Sequence, residues 1–358
     1  MYGLWLANIP GITPVKLELI FQHCISAEEL YGLSDAALRK IPNLSEEDAD
    51  RILFSKRGWN LEAEWGKLQE KGIGFVTTED SNYPEKLRSI YRPPYALYYM
   101  GSLPEKGRRS VAIVGARGRS AYGSQLASKL AKELARQDVD IISGMARGID
   151  ADGHGGALEA EGRTYAVLGC GVDICYPTQN KHLYERIPQK GGIMSEYPLG
   201  TAPMPALFPQ RNRIISGLAD CTVVIEARKK SGSLITADYA LEQGREVYAL
   251  PGRITDPLSE GCNALIKQGA GVLTSVEDFM KELSLTEDSS CVQMDFRKNL
   301  LEKDESLVYS LFDFAPMGLG TLVQKSPYGL SEMLHILERL EQKGFIEEKV
   351  PNFYIKCI

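Results

Sequence analysis

The middle of the chain alternates short apolar runs with longer helix-like stretches. The runs are rich in Val, Ile and Ala, and several end in a Gly-rich or Ser/Gly turn. Short buried strands separated by helices are typical of a doubly wound parallel sheet, so the pattern predicts an α/β fold. Ligands of such sheets bind outside the carboxyl ends of the strands, where these turns lie. The predicted strands cover residues 111–115, 140–143, 164–169, 192–196, 222–227, 246–250 and 271–274.

The first part of the chain, residues 1–68, has a helical pattern with two similar turns. These are Ile9-Pro10-Gly11-Ile12 and Ile41-Pro42-Asn43-Leu44, and a helix-like run follows each. We predict a SAM-like or helix-hairpin-helix domain here. Paired hairpins can grip a DNA backbone, but the acidic charge and the lack of a GxG turn favour an interaction or capping role. Residues 69–107 are predicted to connect this domain to the core and to contribute an edge strand.

The last part of the chain combines an acidic segment with a winged-helix pattern. Residues 281–300 are acidic and contain Ser, which predicts a linker between a core at 108–280 and a domain at 301–358. In that domain an amphipathic helix, 331–343, precedes a β-hairpin, as in winged helices. Such domains usually bind duplex DNA. Here the helix carries three Glu against one Arg and one Lys, which favours a protein contact or a regulatory role.

Composition excludes several classes of protein. With 44% apolar and 25% charged residues the chain is an ordinary globular one, and no apolar run approaches the roughly 20 residues of a membrane span. No basic segment precedes an apolar core at the N-terminus, so no secretion signal is expected. The Cys residues form no CxxC pair and no zinc-like cluster, which predicts reduced thiols, a cytoplasmic location and no metal site. They are Cys24, Cys170, Cys175, Cys221, Cys262, Cys291 and Cys357.

Basic charge is concentrated in the predicted core. The formal net charge of the chain is −6, yet residues 108–275 carry 20 basic and 17 acidic residues, a net charge of +3. The segments before and after this region are net acidic. A phosphate-bearing partner is therefore expected to contact the core.

The stretch 208–237 contains the strongest anion-binding signal. Free N–H groups and the dipole at a helix start favour an anion, and neighbouring bases make phosphate the expected one. We therefore predict a protein that binds a phosphate backbone, not a hydride-transfer or hydrolytic enzyme. The elements, in order, are the triplet Arg211-Asn212-Arg213, a strand, the bases Arg228, Lys229 and Lys230, the turn Ser231-Gly232-Ser233, and a helix-like run that includes Thr236.

Phe208 precedes the arginine triplet and has two open interpretations. It could stack on an unpaired base while the arginines hold phosphates, or it could simply pack the loop. Single strands suit the first design because their bases are free to stack, whereas duplex DNA calls for a base-reading helix or a long basic face. The first interpretation therefore favours single-stranded over duplex DNA.

Two Gly-rich turns after predicted strands add cations at the same edge of the sheet. The first, GARGRSAYG, has Arg117 where a dinucleotide fingerprint has its second glycine, and this blocks a cofactor but suits a phosphate. The second, SGMARGID, contributes another Arg between small residues. The candidate phosphate contacts in the two turns are Arg117, Ser120, Ser143, Gly144 and Arg147.

Asp150 and His154 are spaced so that a helix would place them on one face. An acid–base or metal role would need a third ligand or a nucleophile, which the neighbouring sequence lacks, so a packed helix-start hydrogen bond is favoured. The chain also has no GxxxxGKS/T, HExxH or GxSxG motif. We therefore predict no catalytic residue, no cofactor and no enzyme activity.

Six blocks occur in order along the core: VAIVGARGRSAYG, SGMARGIDADGHGGAL, VLGCGVDICYP, FPQRNRIISGLAD, SGSLITADYALEQGREVYALPG and GCNALIKQGA. Together they resemble the DNA-processing protein A family, also called DprA or Smf, over residues 110–275. The flanking domains are similar to those that the family often carries. One difference is that residues 201–207 hold no base, where many relatives have a Lys before the Phe; Lys229 and Lys230 are candidates to compensate.

The resemblance implies an extended Rossmann-like core that binds single-stranded DNA during natural transformation. Proteins of this family protect incoming strands, help load the RecA recombinase and usually form homodimers through the core. Single-stranded DNA, RecA and a second copy are thus the implied partners. Carried onto this chain, the DNA pocket would use Arg117, the Ser143-Gly144 turn, Phe208, Arg211-Asn212-Arg213 and the turn Ser231-Gly232-Ser233.

Two competing functions remain open. The core also resembles nucleoside-monophosphate phosphoribohydrolases, whose PGGxGTxxE signature supplies a catalytic Glu. The corresponding KSGSLITADYALE lacks the double Gly and has Ala237 and Asp238 after the Thr. The other alternative is an assembly scaffold that contacts partners through the winged helix. Loss of DNA binding on mutation of Arg117, Arg211 or Arg213 would distinguish a single-stranded DNA-binding protein from both of these alternatives.

Overall fold

The computed structural model describes residues 1–284, 301–312 and 316–356. The part of the predicted 281–300 linker beyond residue 284 lies outside the described residues, as do Cys291 and Cys357. The other five Cys residues are free thiols. No helix of the described chain is both long enough and apolar enough to cross a membrane.

Two compact units make up the described chain. The first contains Met1–Gly118 and Ala127–Val276, and the second contains Arg119–Leu126 and the described residues from Glu277 onward. The helical N-terminal residues therefore share a unit with the predicted core. Leu4, Leu68 and Tyr98 lie in one buried cluster, which joins the first helices to the sheet.

Seven short helices precede or interrupt the first strands. Side chains cap several of them; Ser45, for example, accepts a hydrogen bond from Asp48 N. Trp5, Ile20 and Ile52 are buried among these helices. The helices are α1 (Tyr2–Ala7), α2 (Pro14–Phe21), α3 (Ala27–Gly32), α4 (Asp35–Leu38), α5 (Glu46–Gly58), α6 (Leu61–Glu70) and α7 (Glu85–Arg88).

Nine strands form one sheet at the centre of the first unit. They are β1 (Gly74–Thr77), β2 (Ala96–Gly101), β3 (Ser110–Val114), β4 (Asp140–Ser143), β5 (Thr164–Val167), β6 (Gly192–Ser195), β7 (Cys221–Val224), β8 (Glu246–Ala249) and β9 (Gly271–Val272). Their order is β1-β2-β6-β5-β4-β3-β7-β8-β9. The seven predicted runs form the seven parallel strands, so the α/β fold with a large, mainly parallel sheet is confirmed.

Two antiparallel strands extend the predicted parallel sheet at one edge. The strand β2 pairs antiparallel with β6, and β1 pairs antiparallel with β2. A parallel pair needs a crossover long enough to return the chain to the starting edge. Only residues 102–109 separate β2 from β3, and that segment contains no helix. The segment 69–107 thus extends the sheet as well as leading into it.

Helices cover the sheet and return the chain between parallel strands. They are α8 (Ala121–Arg136), α9 (Ile149–Glu159), α10 (Lys181–Lys190), α11 (Leu207–Leu218), α12 (Gly232–Glu242) and α13 (Glu260–Lys267), and a 3₁₀ turn, Thr178–Asn180, precedes α10. The strand order reverses at β3, because later strands are added on both of its sides. In doubly wound sheets this reversal point, at the carboxyl ends of the strands, is where ligands bind.

The second unit contains helices and a small antiparallel sheet. Val308, Leu322, Met333 and Tyr354 lie in its buried core. Its sheet has the order β10-β12-β11. The elements are α14 (Val276–Glu282), α15 (Lys303–Leu311), β10 (Met317–Gly318), α16 (Leu319–Lys325), α17 (Leu330–Gln342), β11 (Ile346–Val350) and β12 (Phe353–Lys356).

Candidate functional site

A cavity of about 300 Å³ lies beyond the carboxyl ends of β3, β4 and β5. It brings together the turns after these three strands and the first half of α11. Three of the lining side chains are arginines, and none of the lining residues in the described chain is acidic. The lining is therefore electropositive. The lining residues are Arg117, Gly144, Ala146, Arg147, Leu168, Gly169, Cys170, Tyr176, Pro177, Thr178, Gln179, Phe208 and Arg211.

The turn after β4 is held by a buried carboxylate. Oδ2 of Asp150 accepts hydrogen bonds from Gly144 N at 3.1 Å and from Ala146 N at 3.4 Å. The side-chain amide of Asn180 donates to Ala146 O at 3.1 Å from the other side. Gly148 closes the turn with φ +84°, and a Cβ there would lie 2.2 Å from Ala116 O. The sequence therefore forms a rigid cavity edge, for which glycine is required at residue 148.

Asp150 and His154 serve packing, as the sequence analysis favoured. Burial raises the pKa of Asp150, although Arg211 and the two backbone N–H groups oppose this. His154 is fully buried, and its Nδ1 lies 2.6 Å from Oγ1 of Thr164. That hydroxyl donates to Ile141 O at 2.9 Å, so the imidazole Nδ1–H is the donor to Thr164. Neither group reaches the cavity as an acid–base pair.

Arg211 is both a cavity residue and a structural crosslink. Its guanidinium donates from Nη1 to Gly144 O at 2.9 Å and to Val167 O. These carbonyls lie at the ends of β4 and β5, so Arg211 joins two strands to α11. The residue is only 5% exposed, and burial lowers its pKa to about 10, against the attraction of Asp150. The side chain remains charged at neutral pH and adds positive potential to the cavity.

An aromatic pair forms one wall of the cavity. The ring of Phe208 stacks on Tyr176 with 5.5 Å between centroids and 23° between planes. Cζ of Arg117 lies 5.8 Å from the centroid of Phe208. A Cβ on Gly169 would lie 2.7 Å from the Phe208 ring, so only glycine leaves room for this ring position. Tyr176 is 40% exposed, which leaves apolar surface beside an exposed guanidinium.

The rest of the arginine triplet points elsewhere. Arg213 forms a bidentate pair with Glu196 at 2.7 and 2.6 Å and donates to Arg92 O at 3.0 Å. Burial disfavours its charge, but the hydrogen bonds to Glu196 outweigh burial and raise its pKa. Asn212 donates from Nδ2 to Gly232 O at 3.2 Å, which joins α11 to the start of α12. Both side chains are buried and do not line the cavity.

The predicted Ser-Gly-Ser turn lies outside the cavity, at the start of α12. Ser231 is the N-cap of this helix: its hydroxyl lies 2.8 Å from Oγ of Ser233 and accepts from Ser233 N at 3.4 Å. Lys230 and Gly232 are exposed, whereas Thr236 is buried. The turn follows β7, which neighbours β3, so it lies at the same edge of the sheet as the cavity.

Three further residues were predicted to contact phosphate, and only one of their side chains lines the cavity. Oγ of Ser143 donates to Ile113 O at 2.6 Å and is fully buried, so only the backbone of its turn lies near the cavity. Arg147 is exposed at the cavity edge. Ser120 lies in the turn before α8, where its hydroxyl accepts from Gly123 N at 2.9 Å.

Sequence analysis missed two features of the site. It predicted no helix at Phe208 and the triplet, whereas they lie on α11, and helical spacing places Phe208 and Arg211 on one face. Pro209 and the polar triplet obscured the helical pattern. It also assigned no role to Tyr176, although an aromatic residue in a loop after a buried strand was a usable signal.

Comparison with known proteins identifies the family. The family model for DNA recombination-mediator protein A matches residues 74–284. The chain belongs to this family. Its members are DNA-processing proteins rather than known enzymes, in agreement with the prediction from the sequence.

Individual members of the recombination-mediator protein A family are similar in sequence and structure. Protein Smf of Synechocystis is 38% identical over 285 residues, 78% of this chain and 72% of the relative. DNA processing protein DprA of Bacillus subtilis is 44% identical over 217 residues, 60% of this chain and 73% of the relative. The X-ray structure of DprA from Streptococcus pneumoniae superposes with a TM-score of 0.69 at 33% identity, over 78% of this chain and 97% of that one.

A structure of DNA processing protein A from Helicobacter pylori, which describes its single-stranded DNA binding mode, has a TM-score of 0.54. It is 30% identical and covers 59% of this chain and 95% of that chain. Both structural neighbours exceed 25% identity, so the likeness extends beyond the shape of the fold.

We expect the stability of the protein to fall as the pH drops below about 6.5, in part because of His154. Burial lowers the pKa of His154 to about 3, so the imidazole stays neutral in the folded protein while the unfolded chain binds a proton. At pH 4.5 this difference corresponds to about 2–3 kcal/mol of lost stability. Urea unfolding at several pH values measures it. His154→Asn, which keeps a donor near Thr164, should flatten this dependence.

Comparing the parent with His154→Asn separates the contribution of His154 to the pH dependence of stability from that of other buried groups. Burial raises the pKa of Asp140 to about 6 and also raises that of Asp150, so deprotonation of these two carboxyls reduces stability as the pH rises. His182→Asn, at an exposed position, is the matched control, and its stability should depend on pH as that of the parent does. Identical profiles for the parent and His154→Asn would contradict the assignment.

Proposed function

We propose that the protein binds single-stranded DNA in the cavity during DNA processing in natural transformation. The observation that carries this proposal is the wall in which exposed Arg117 lies 5.8 Å from the Phe208 ring, itself stacked on Tyr176. A cation beside an aromatic platform is the arrangement that binds a phosphate and a neighbouring unstacked base. Arg147 at the cavity edge adds a second exposed cation.

A single strand fits this cavity better than a duplex. Bases of duplex DNA are stacked and paired, so they can contact an aromatic platform only after extrusion, which costs a few kcal/mol. The first unit also presents no helix with a long basic face at this cavity, as major-groove recognition would need. The single-stranded DNA binding mode described for the Helicobacter pylori neighbour supports the same choice.

We place a second phosphate contact at the start of α12. Lys230, Gly232 and the capped Ser231-Ser233 pair present a cation and helix-start N–H groups at the same sheet edge as the cavity. Asn212 ties this turn to α11, which also carries Phe208 and Arg211. A strand that leaves the cavity would reach this turn.

The finer domain assignment is part of the proposal. We propose a SAM-like or helix-hairpin-helix domain at 1–68, a connection at 69–107, an extended Rossmann-like DNA-binding core at 108–280, a linker at 281–300 and a winged helix at 301–358. In the second unit, α15, α16 and α17 followed by a β-hairpin with a third strand support the last assignment.

Membership of a recombination-mediator family supports a wider role. We propose that the protein acts in the cytoplasm, protects incoming strands, forms a homodimer through the Rossmann-like core and helps load the RecA recombinase. Sedimentation of the purified protein tests the dimer. RecA loading is tested by strand exchange on single strands that are already coated with a separate single-strand-binding protein. The rate is compared with and without the protein described here.

The first experiment is a binding titration with labelled single-stranded and duplex oligonucleotides at two salt concentrations. We expect preferential binding of the single strand and a steep loss of affinity with salt, because each neutralised phosphate releases counterions. Binding to neither at low salt would refute the proposal and direct attention to nucleotide hydrolysis. Preference for the duplex would move the site away from the cavity.

Gly232→Val should weaken single-strand binding about tenfold without destabilising the protein. Apart from its chain neighbours and the backbone of its own helix, a Cβ at Gly232 meets no described atom within 4 Å, so we expect the free energy of unfolding to change by less than about 0.5 kcal/mol. A branched side chain would, however, hold a phosphate away from the helix start. Gly66→Val, in an equally open position on α6, is the control. Unchanged affinity in Gly232→Val would remove the turn from the DNA path.

A further inference from the structure

Arg339 of α17 and Lys343, the residue that follows this helix, both form ion pairs inside the second unit. Nε of Arg339 donates to Oε1 of Glu305 at 3.0 Å, and a second nitrogen donates to Asp304. Nζ of Lys343 donates to the two oxygens of Glu305 at 2.9 and 2.7 Å. The Glu305 side chain is fully buried, so these pairs hold α17 against α15. Both cations are therefore already paired with carboxylates of the same unit.

The hairpin beside α17 is also poor in available positive charge. On β11, Lys349 pairs with Glu347 at 2.7 Å. Glu348 is exposed, and its backbone N–H donates to Glu341 of α17 at 3.2 Å. On β12, Nζ of Lys356 lies 4.0 Å from the ring centroid of Tyr309. The surface formed by the helix and the hairpin thus has an acidic character.

One side of α17 exposes leucines where a soluble helix would carry polar residues. Leu330 is 57% exposed and Leu334 is 42% exposed, one turn apart. Glu338, one turn further, is also exposed. The buried side of the helix is already complete, with Met333 and Leu340 fully inside the core. Leu330, Leu334 and Glu338 therefore form a stripe, here called the docking face, that the fold of the unit does not need.

Apolar side chains followed by carboxylates do not suit nucleic acid. A helix that enters the major groove contacts phosphates on both sides and needs available cations. The docking face instead combines apolar contact area with negative charge. Its complement is an apolar strip bordered by Lys or Arg.

We propose that the docking face binds a partner protein through an amphipathic helix whose leucine-like side is bordered by basic residues. The leucines would pack against the apolar strip, as in helix recognition by a hydrophobic groove, and Glu338 and Glu341 would pair with the flanking cations. This site is separate from the proposed DNA cavity of the first unit.

The test uses the full chain and labelled peptides of about 18 residues, or five helical turns. One peptide carries Leu on one helical face with Lys along its borders, and a second has the same composition in scrambled order. Fluorescence anisotropy should show preferential binding of the amphipathic peptide. Leu330→Ser/Leu334→Ser should weaken that binding about tenfold or more, since buried apolar anchors dominate such interfaces. Glu338→Lys should weaken it several-fold, most strongly at low salt.

A matched control is available on α15. Leu307 is 42% exposed, the same fraction as Leu334, and lies outside the docking face. Leu307→Ser should leave peptide binding unchanged. Single-strand binding by the Leu330→Ser/Leu334→Ser variant should equal that of the parent, so failure of this proposal and failure of the DNA proposal are distinguishable.

Three results would overturn the proposal. The first is equal binding of the scrambled and amphipathic peptides, or equal weakening by Leu307→Ser. The second is self-association that Leu330→Ser/Leu334→Ser abolishes, which would make a second copy the occupant. The third concerns duplex DNA. If a variant without the cavity arginines binds duplex DNA, and Leu330→Ser/Leu334→Ser abolishes that binding, the docking face binds DNA and not a protein.

Discussion

Replacing Arg117 and Arg147 together by alanine should weaken single-strand binding about 100-fold at moderate salt. Both side chains line the cavity and are exposed. Each charge-assisted contact to a phosphate contributes on the order of 1.5 kcal/mol, or about tenfold in affinity. The slope of log affinity against log salt should also fall by about 1.4, because each neutralised phosphate of a single strand contributes about 0.7. Anisotropy titrations over a salt series measure both quantities.

The matched control for this double variant is Arg136→Ala/Arg186→Ala. These two arginines are exposed, lie on α8 and α10, and do not line the cavity. The control removes the same net charge, so equal weakening in both variants would mean that affinity reports overall charge and not the cavity. Urea unfolding should give the parent stability for both, because neither pair lies in the core.

Arg211→Met should destabilise the protein by about 3–5 kcal/mol, an effect on the fold that precedes any effect on DNA. The substitution removes the donor to Gly144 O and Val167 O and leaves the buried carboxylate of Asp150 without its cation. Buried acceptors without partners are costly because they are also cut off from water. Thermal and urea unfolding measure the loss.

Two further variants keep this prediction testable if Arg211→Met does not fold. Arg211→Lys retains the charge but not the planar fork, so it should lose less stability than Arg211→Met. Arg136→Met, at an exposed position, should change the free energy of unfolding by less than about 0.5 kcal/mol. An Arg211→Met protein of parent stability that no longer binds the single strand would make Arg211 a direct phosphate ligand instead of a crosslink.

The strands could be predicted because burial on both faces leaves a simple mark in the sequence. Each parallel strand is a run of apolar residues between helices, and β3, for example, is buried at every position. The antiparallel pairing of β1 and β2 leaves no such mark. Their direction depends on the short segment between β2 and β3, and apolar pattern does not encode direction.

The sequence predicted which candidate residues lie at one edge of the sheet, but not which contacts each of them makes. Charge and aromatic character identified Arg117, Arg147, Phe208 and Arg211 as residues of one sheet edge. Whether an arginine faces solvent or a buried acceptor depends on partners distant in sequence, such as the carbonyl of Val167 for Arg211 and the carboxylate of Glu196 for Arg213. Those partners become neighbours only when the strands are in register.

The crosslink made by Arg211 also has a consequence for synthesis on the ribosome. The cavity needs the turn after β4, the end of β5 and the first half of α11, which are far apart along the chain. A nascent chain that stops before α11 would display Arg117 and Arg147 without a formed cavity, because non-local contacts close last. Translation must therefore pass this helix before the cavity can form, because a chain truncated upstream of it lacks both Phe208 and Arg211.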